Sequence, residues 1–387
     1  MITVGFFVLS VFLLVASGYS LFTLYAAGRF FHQDAPAADL LPPVSIFKPL
    51  KGASADLYDN LVSFCRLDYP RFQLLCGVRD PHDPAIAEVE RLRRDFPTRD
   101  ISLIVNPEII GSNYKVSTLH RLAGEAKYDI FVISDGDVRV EPPYLREIIP
   151  PLTAPEVGLV TCLYRGTATT PLLALLESLM INTSFTPQVL VASQVEETTY
   201  AFGATIAVKR HCLDEIGGFA AIADYLADDY YLGYLVTQAG YRALIAPHVV
   251  STSPSIPTLR DLFYHQLRWA RTQRNCRPTG HFGTLVTYGT VWSLLGLLIF
   301  KSSPLLHALS LTTLGLRLFS AGIVGGLWLK ASLTLRALWL VPLTDVFSFV
   351  VWCVSLRGNT VRWKEHTFRL RRDGKMIQVA EIPPVAL

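Results

Sequence analysis

The first 28 residues carry no charged side chain, and this property constrains the fold more than any other in the chain. The stretch VGFFVLSVFLLVASGYSLFTLYAAG exceeds the ~20 apolar residues that cross a bilayer core, so it reads as an anchor. A cleaved secretory signal, cut near Ala26-Ala27-Gly28, is the alternative, but the segment lacks a basic leading region and outruns a signal's usual apolar length. Towards the other end, residues 278–300 contain no Lys, Arg, Asp or Glu, and apolar stretches continue at 302–316, 318–329 and 337–356. A chain of 387 residues that is 51% hydrophobic and 17% charged fits such a division into membrane and soluble parts. The expected organisation is an anchor over 1–28, a soluble domain over 33–257, an interfacial helix over 258–277, membrane helices over 278–356 and a basic tail over 357–387.

Orientation follows from charge. Arg29, Lys48, Lys51, Arg66 and Arg71 follow the first span, which puts the soluble domain on the cytosolic side. Residues 357–375 hold seven basic and two acidic side chains and so prefer the same side and anionic headgroups. An even number of spans must then separate domain and tail. Arg317 and Asp345 interrupt two of the apolar stretches, and 337–356 is read as re-entrant or interfacial. The six cysteines form no C-x-x-C pair and read as reduced thiols.

Within the soluble domain, strands are expected at 44–50, 72–80, 101–106 and 129–137, with helices between them and at 113–126. That alternation implies right-handed βαβ units and a mainly parallel sheet. A further strand and short helix follow in YAFGATIAVKRHCLDEIGGF (200–219), then a helix opened by Asp228 and Asp229, the strand YRALIAP, and a helix over 258–276. The last carries Arg260, Arg268, Arg271 and Arg274 beside aromatic residues, a pattern that by default lies on a membrane surface.

Ligands of open α/β sheets bind beyond the carboxyl ends of the strands. Asp80 ends one strand there, and Asp135 with Asp137 ends another. A lone D-G-D is commonly a surface turn, and Asp228 and Asp229 suit a helix start. Paired carboxylates at a strand end are also how proteins hold Mg2+ or Mn2+ while substrate phosphates complete the coordination. Neither G-x-G-x-x-G, a P-loop, H-E-x-x-H nor G-x-S-x-G is present, which removes the fingerprints of dinucleotide, P-loop, zinc-protease and serine-hydrolase sites. A net charge of +3, with the basic excess near the membrane, argues against nucleic acid.

Four motifs in order, Asp80 in GVRDPHDPAI, ISDGD at 133–137, LADDY at 226–230 and HQLRW at 265–269, resemble the glycosyltransferases of family 21 and the neighbouring family 2. Ceramide glucosyltransferases and bacterial hopanoid-biosynthesis glycosyltransferases share the pattern most fully. The resemblance implies a GT-A fold: a mostly parallel sheet flanked by helices, with an amino-terminal transmembrane helix and a carboxyl-terminal helical membrane domain. It implies a UDP-sugar donor contacted by Asp80 and by Lys115 in GSNYKVSTL, and a divalent cation, Mg2+ or Mn2+, on Asp135 and Asp137. It further implies Asp229 as general base with Asp228 as fallback, and Gln266, Arg268 and Trp269 near the diphosphate and acceptor. Arg268 would oppose the charge of the leaving diphosphate. Trp269 stacks on a ligand or anchors at the membrane interface.

Direct displacement by a lipid hydroxyl would invert the anomeric carbon. The full D-x-D, where ceramide enzymes usually carry D-S-G, and the segment CLYRG (162–166) favour a hopanoid acceptor and a bacterial inner membrane; ceramide is the alternative. A processive polysaccharide synthase needs more membrane segments than are visible, and a non-catalytic nucleotide-sugar scaffold would not need the full set of acids.

Overall fold

The computed structural model describes residues 2–33, 40–363 and 366–379. The end of the tail, 380–387, lies outside the described residues. The uncharged amino-terminal segment forms one helix, Ile2–Phe31, about 45 Å long at 1.5 Å per residue.

The soluble part is built on an eight-stranded sheet of β1 (Val44–Pro49), β2 (Phe72–Val78), β3 (Ile101–Val105), β4 (Ile130–Ile133), β5 (Val138–Arg139), β6 (Val157–Gly166), β7 (Ile206–Lys209) and β8 (Arg242–Thr252). Their order is β3-β2-β1-β4-β7-β6-β8-β5. Strands β1 to β4 are mutually parallel, with Phe47 paired to Leu75 on one side and Ile133 on the other. β7 runs antiparallel to both β4 and β6. β1 and β2 are apolar without alternation because helices cover both faces of the sheet. On one face Leu61, Phe64, Val89, Tyr144 and Leu145 pack against Ile46 and Leu74. On the other, Val116, Leu119, Phe219, Leu232 and Val236 pack against Phe47, Leu75 and Phe131. The chain steps outward through β1, β2 and β3 and returns on the far side of β1 as β4, so the switch in strand order falls between β1 and β4.

Several elements differ from expectation. β4 stops at Ile133, before the acids, which stand in the turn that follows. β6 was not distinguished from the sequence beyond CLYRG, because a strand buried on both faces has no periodicity of its own. β8 runs on to Thr252, with a bulge at Pro247 and His248, where Cys162 pairs with Ala246 but Leu163 with Val249. An unexpected helical segment, Leu172–Met180 and Thr186–Val195 joined by a wider π-helical turn at Ile181–Phe185, packs between the sheet and the membrane helices.

Among the described residues, three helices are long and apolar enough to cross a membrane: Thr3–Phe31, Pro304–Trp328 and Leu338–Ser355. The stretches 302–316 and 318–329 are thus one helix, not two. The broken element is Pro278–Thr287 with Gly289–Ile299, bent by 46°, and not the segment 337–356. If that bent pair is one span, the count is four. Arg317 and Asp345, the two interrupting charges, pair with each other: Nη2 to Oδ1 at 2.7 Å and Nε to Oδ2 at 3.0 Å. Small and polar residues let the helices approach closely, as where Ser17 and Thr313 hydroxyls meet at 2.9 Å.

The basic tail is ordered as an antiparallel sheet of β9 (Thr360–Trp363), β10 (His366–Leu370) and β11 (Met376–Gln378). It docks on the soluble domain, with Val361, Phe368, Leu370 and Met376 packed on Leu226. The helix Leu259–Cys276 holds it: Arg271 donates to the carbonyls of Arg357 and Thr360, and Arg274 to those of Ser355 and Gly358. Two guanidiniums expected to face headgroups are therefore spent on backbone carbonyls. All six cysteines are free thiols.

Candidate active site

The carboxyl ends of β1, β2 and β4 open into a cavity of about 1550 Å3. Asp80, Lys115, Asp135, Asp137, Asp228, Asp229, Gln266, Arg268 and Trp269 all line it. Residues from five separate stretches of sequence therefore converge on one space.

Lys115 is the hub. Its helix, Tyr114–Gly124, is capped by Asn113, whose Oδ1 accepts from the backbone N–H groups of Lys115 and Val116 and whose Nδ2 donates to Asp228 Oδ1 at 3.2 Å. The cap sets the start of the helix, and the start of the helix aims Lys115 Nζ at Asp135 Oδ1 (2.7 Å) and Asp228 Oδ2 (3.4 Å). Burial works against the ammonium, but Asp135, Asp228 and Asp229 outweigh it, and the Lys115 pKa is raised.

Asp228 and Asp229 open the helix Asp228–Gln238, as expected of helix-start acids, yet both point into the cavity. Asp229 accepts from Tyr230 N–H at 2.8 Å and Gly203 N–H at 2.9 Å. Burial, then the charge of Asp228, pushes the Asp229 pKa up to about 6. A carboxylate with that value is a better proton acceptor than an ordinary one. Gly203 is the centre of this group: a Cβ there would lie 3.0 Å from Asp135 Oδ2, 3.3 Å from Lys115 Nζ and 3.5 Å from Asp229 Oδ2.

Asp135 and Asp137 flank Gly136 at the β1/β4 switch. Thr252 donates to Asp137 Oδ2 at 3.0 Å. Asp137 opens to the cavity but is enclosed by protein, and that enclosure, then the charge of Asp135, raises its pKa. Two carboxylates that oppose each other's ionisation, one side of Asp135 kept clear by Gly203, fit a divalent cation. Among the described residues no cluster of three or more His, Cys, Asp or Glu is arranged to hold a metal. Two carboxylates with phosphate oxygens and water completing the shell is the usual manner of Mg2+.

The remaining residues stand at the edges. Asp80 is exposed at the cavity mouth, its Oδ1 accepting from His82 N–H at 2.8 Å. Arg268 lies deep in the cavity, where burial lowers its pKa and Glu177, Asp229, Asp228 and Asp135 oppose that shift. Trp269 faces inward against His265 (ring centroids 4.8 Å apart) and Phe185 (6.3 Å), not outward to lipid.

Three features were not found from the sequence. Lys48, wholly buried at the end of β1, donates to Ser134 Oγ at 3.3 Å and to the Asp135 carbonyl, and burial lowers its pKa to about 8. A lysine closing an apolar strand, as in VSIFKPL, was the available signal. The tail contributes Arg362, Trp363, His366 and Phe368 to the cavity wall, with Arg268 5.9 Å from the Trp363 ring. The cavity also continues between the apolar helices, to Tyr19, Ser20, Thr23, Arg317, Ser320 and Asp345.

Comparison with known proteins agrees with this architecture. The family model of glycosyl transferase family 21 matches residues 8–376. Ceramide glucosyltransferase 3 of Caenorhabditis elegans is 25% identical over 392 residues, covering 97% of this chain and 82% of the relative. Ceramide glucosyltransferase 1 of the same organism is 27% identical over 255 residues, covering 66% of this chain and 54% of the relative. Among solved structures, a mannosyltransferase of Pyrobaculum calidifontis in complex with GDP-Man and Mn2+ superposes with a TM-score of 0.56 at 20% identity, covering 90% of this chain and 98% of that one, which is a likeness of fold. The chain belongs to glycosyl transferase family 21 and is a nucleotide-sugar-dependent hexosyltransferase of the GT-A fold.

Proposed function

We propose that the protein moves one hexose from a UDP-sugar to the hydroxyl of a neutral membrane lipid, with UDP-glucose and ceramide as the leading pair. One observation carries this reading: a single cavity is lined both by the acids at the strand ends and by side chains of the apolar helices. A water-soluble donor and a membrane-bound acceptor can meet there. For the acceptor, the relatives' names favour ceramide over the hopanoid favoured by D-x-D and CLYRG, and the likeness to one of them runs through 97% of the chain.

In this reading Asp80 and Lys115 contact the nucleotide-sugar, and Asp135 with Asp137 would hold a divalent cation, as the Mn2+ bound to the archaeal mannosyltransferase encourages. Such a cation supplies charge neutralisation to the leaving diphosphate. Arg268 adds a second positive charge on the same side. Asp229 takes the proton of the lipid hydroxyl as it attacks, its oxygens fixed by the N–H groups of Gly203 and Tyr230. Gln266 and Trp269 shape the passage between donor and acceptor. With one base and no covalent intermediate, the anomeric carbon inverts.

The test is UDP release by the detergent-solubilised protein with Mg2+ or Mn2+, pairing UDP-glucose and UDP-N-acetylglucosamine with ceramide and bacteriohopanetetrol. Ceramide-dependent release from UDP-glucose is the expected result. Release only with bacteriohopanetetrol replaces the acceptor, and no lipid-dependent release with any pair rejects the lipid-acceptor reading.

A further inference from the structure

Beside the acids already described, the cavity wall contains a further carboxylate that the reaction above does not use. Glu177, on the helix Leu172–Met180, has only 1% of its surface exposed. Its Oε1 lies 2.8 Å from His265 Nδ1, though off the line a hydrogen bond requires, and its Oε2 has no hydrogen-bond partner among the described residues. An ionised carboxylate accepts hydrogen bonds and donates none. Leaving such an oxygen buried without a donor is costly, and Glu177 belongs to the lining of the cavity.

The position of Glu177 separates it from the donor end. Its helix packs by Leu176, Leu179 and Met180 against Leu262 and against Leu333, Ala337 and Leu340 of the carboxyl-terminal region. Next in the chain, Ser184 accepts from Arg317 of the membrane helix at 3.4 Å. On the neighbouring helix Gln266 and Thr272 also line the cavity, and Gln266 Nε2 and Thr272 Oγ1 have no hydrogen-bond partner among the described residues.

We infer that Glu177, positioned by His265, is the acceptor-lipid contact. Its Oε2 receives a hydrogen bond from an N–H or O–H group of a neutral lipid adjacent to the hydroxyl being glycosylated. The chemistry selects for a neutral amphiphile with a second hydrogen-bond donor beside its nucleophile, such as the amide N–H or secondary hydroxyl of a ceramide. It selects against anionic headgroups, which the carboxylate repels, and against diacylglycerol, which has no second donor. This inference rests on the lipid-acceptor reading above.

The test measures two affinities separately in the full-length, detergent-solubilised protein: that for a short-chain ceramide and that for UDP. Glu177→Ala is expected to weaken ceramide binding by about tenfold or more, the scale of one hydrogen bond to a charged group, with UDP affinity within about twofold of wild type on the same scale. Glu177→Gln, which keeps the shape and half the accepting capacity, falls between them and guards against loss of folding. Wild type is expected to bind N-methylceramide or 3-O-methylceramide as weakly as the Ala variant binds ceramide. Ceramide affinity unchanged in both variants overturns the inference. Equal loss of UDP affinity also overturns it, since Glu177 would then be a countercharge for Arg268 or a donor-sugar contact. Wild-type protein that binds UDP but no ceramide instead removes the acceptor reading itself.

Discussion

Asp229 carries the clearest consequence at the scale of single residues. Its pKa of about 6 arises from burial and from Asp228 beside it, against the pull of Lys115. A general base must be unprotonated, so transfer falls as pH drops through 6, and Asp229→Asn loses about 10²–10⁴-fold in kcat, the worth of a positioned base. Stability moves the other way. In the unfolded chain this carboxyl titrates near the ordinary value, so above pH 6 the folded protein bears a cost for ionising it that the unfolded chain does not. Asp229→Asn removes that cost. The variant is expected to melt higher than wild type at pH 7.5, with the advantage shrinking as pH falls through 6 and gone below about 4. A melting difference that does not vary with pH contradicts the burial argument.

The tail sheet is the element whose role differs most from its sequence. Read as a basic run, it belongs on anionic headgroups; folded, it closes one wall of the cavity, tied down by Arg271, Arg274 and the contact of Met376 N–H with the Asp224 carbonyl at 2.7 Å. Trp363 brings its ring to Arg268, the residue assigned to the diphosphate. Replacing it with alanine is expected to raise KM for the nucleotide-sugar about threefold to tenfold, as for loss of one partly desolvated cation–π contact, with little change in KM for the lipid. Initial-rate kinetics with each substrate varied in turn decide this, and a lipid effect larger than the donor effect removes the tail from the donor end.

Across the whole molecule, the apolar carboxyl-terminal helices are tied to one another by polar contacts. Arg317 and Asp345 are nearly buried, with 9% and 5% of their side chains exposed, and Thr290 also donates to Asp345. Breaking such a pair leaves one charge stranded. Arg317→Leu is expected to cost about 3–5 kcal/mol, and adding Asp345→Leu to recover most of it. Denaturant unfolding in detergent micelles measures both. A double variant no more stable than the single one means that Asp345 has another role than balancing Arg317.

The alternation of strands and helices, the uncharged spans and the acids at the strand ends were legible in the sequence, because each is a property of neighbouring residues: periodicity, local charge and turn chemistry. β6 was not, since a strand buried on both faces lacks the alternation that tells strand from helix. The two apolar stretches either side of Arg317 read as separate because its partner lies 28 residues further on. The same distance effect hid the inward aim of Glu177, the burial of Lys48 and the tail's place over the cavity. By itself the sequence determined which chemistry the chain can carry. Only the tertiary structure decided which side chains meet, because contacts such as Lys115 with Asp135 and Asp228 join distant segments and depend on the packing that orients them.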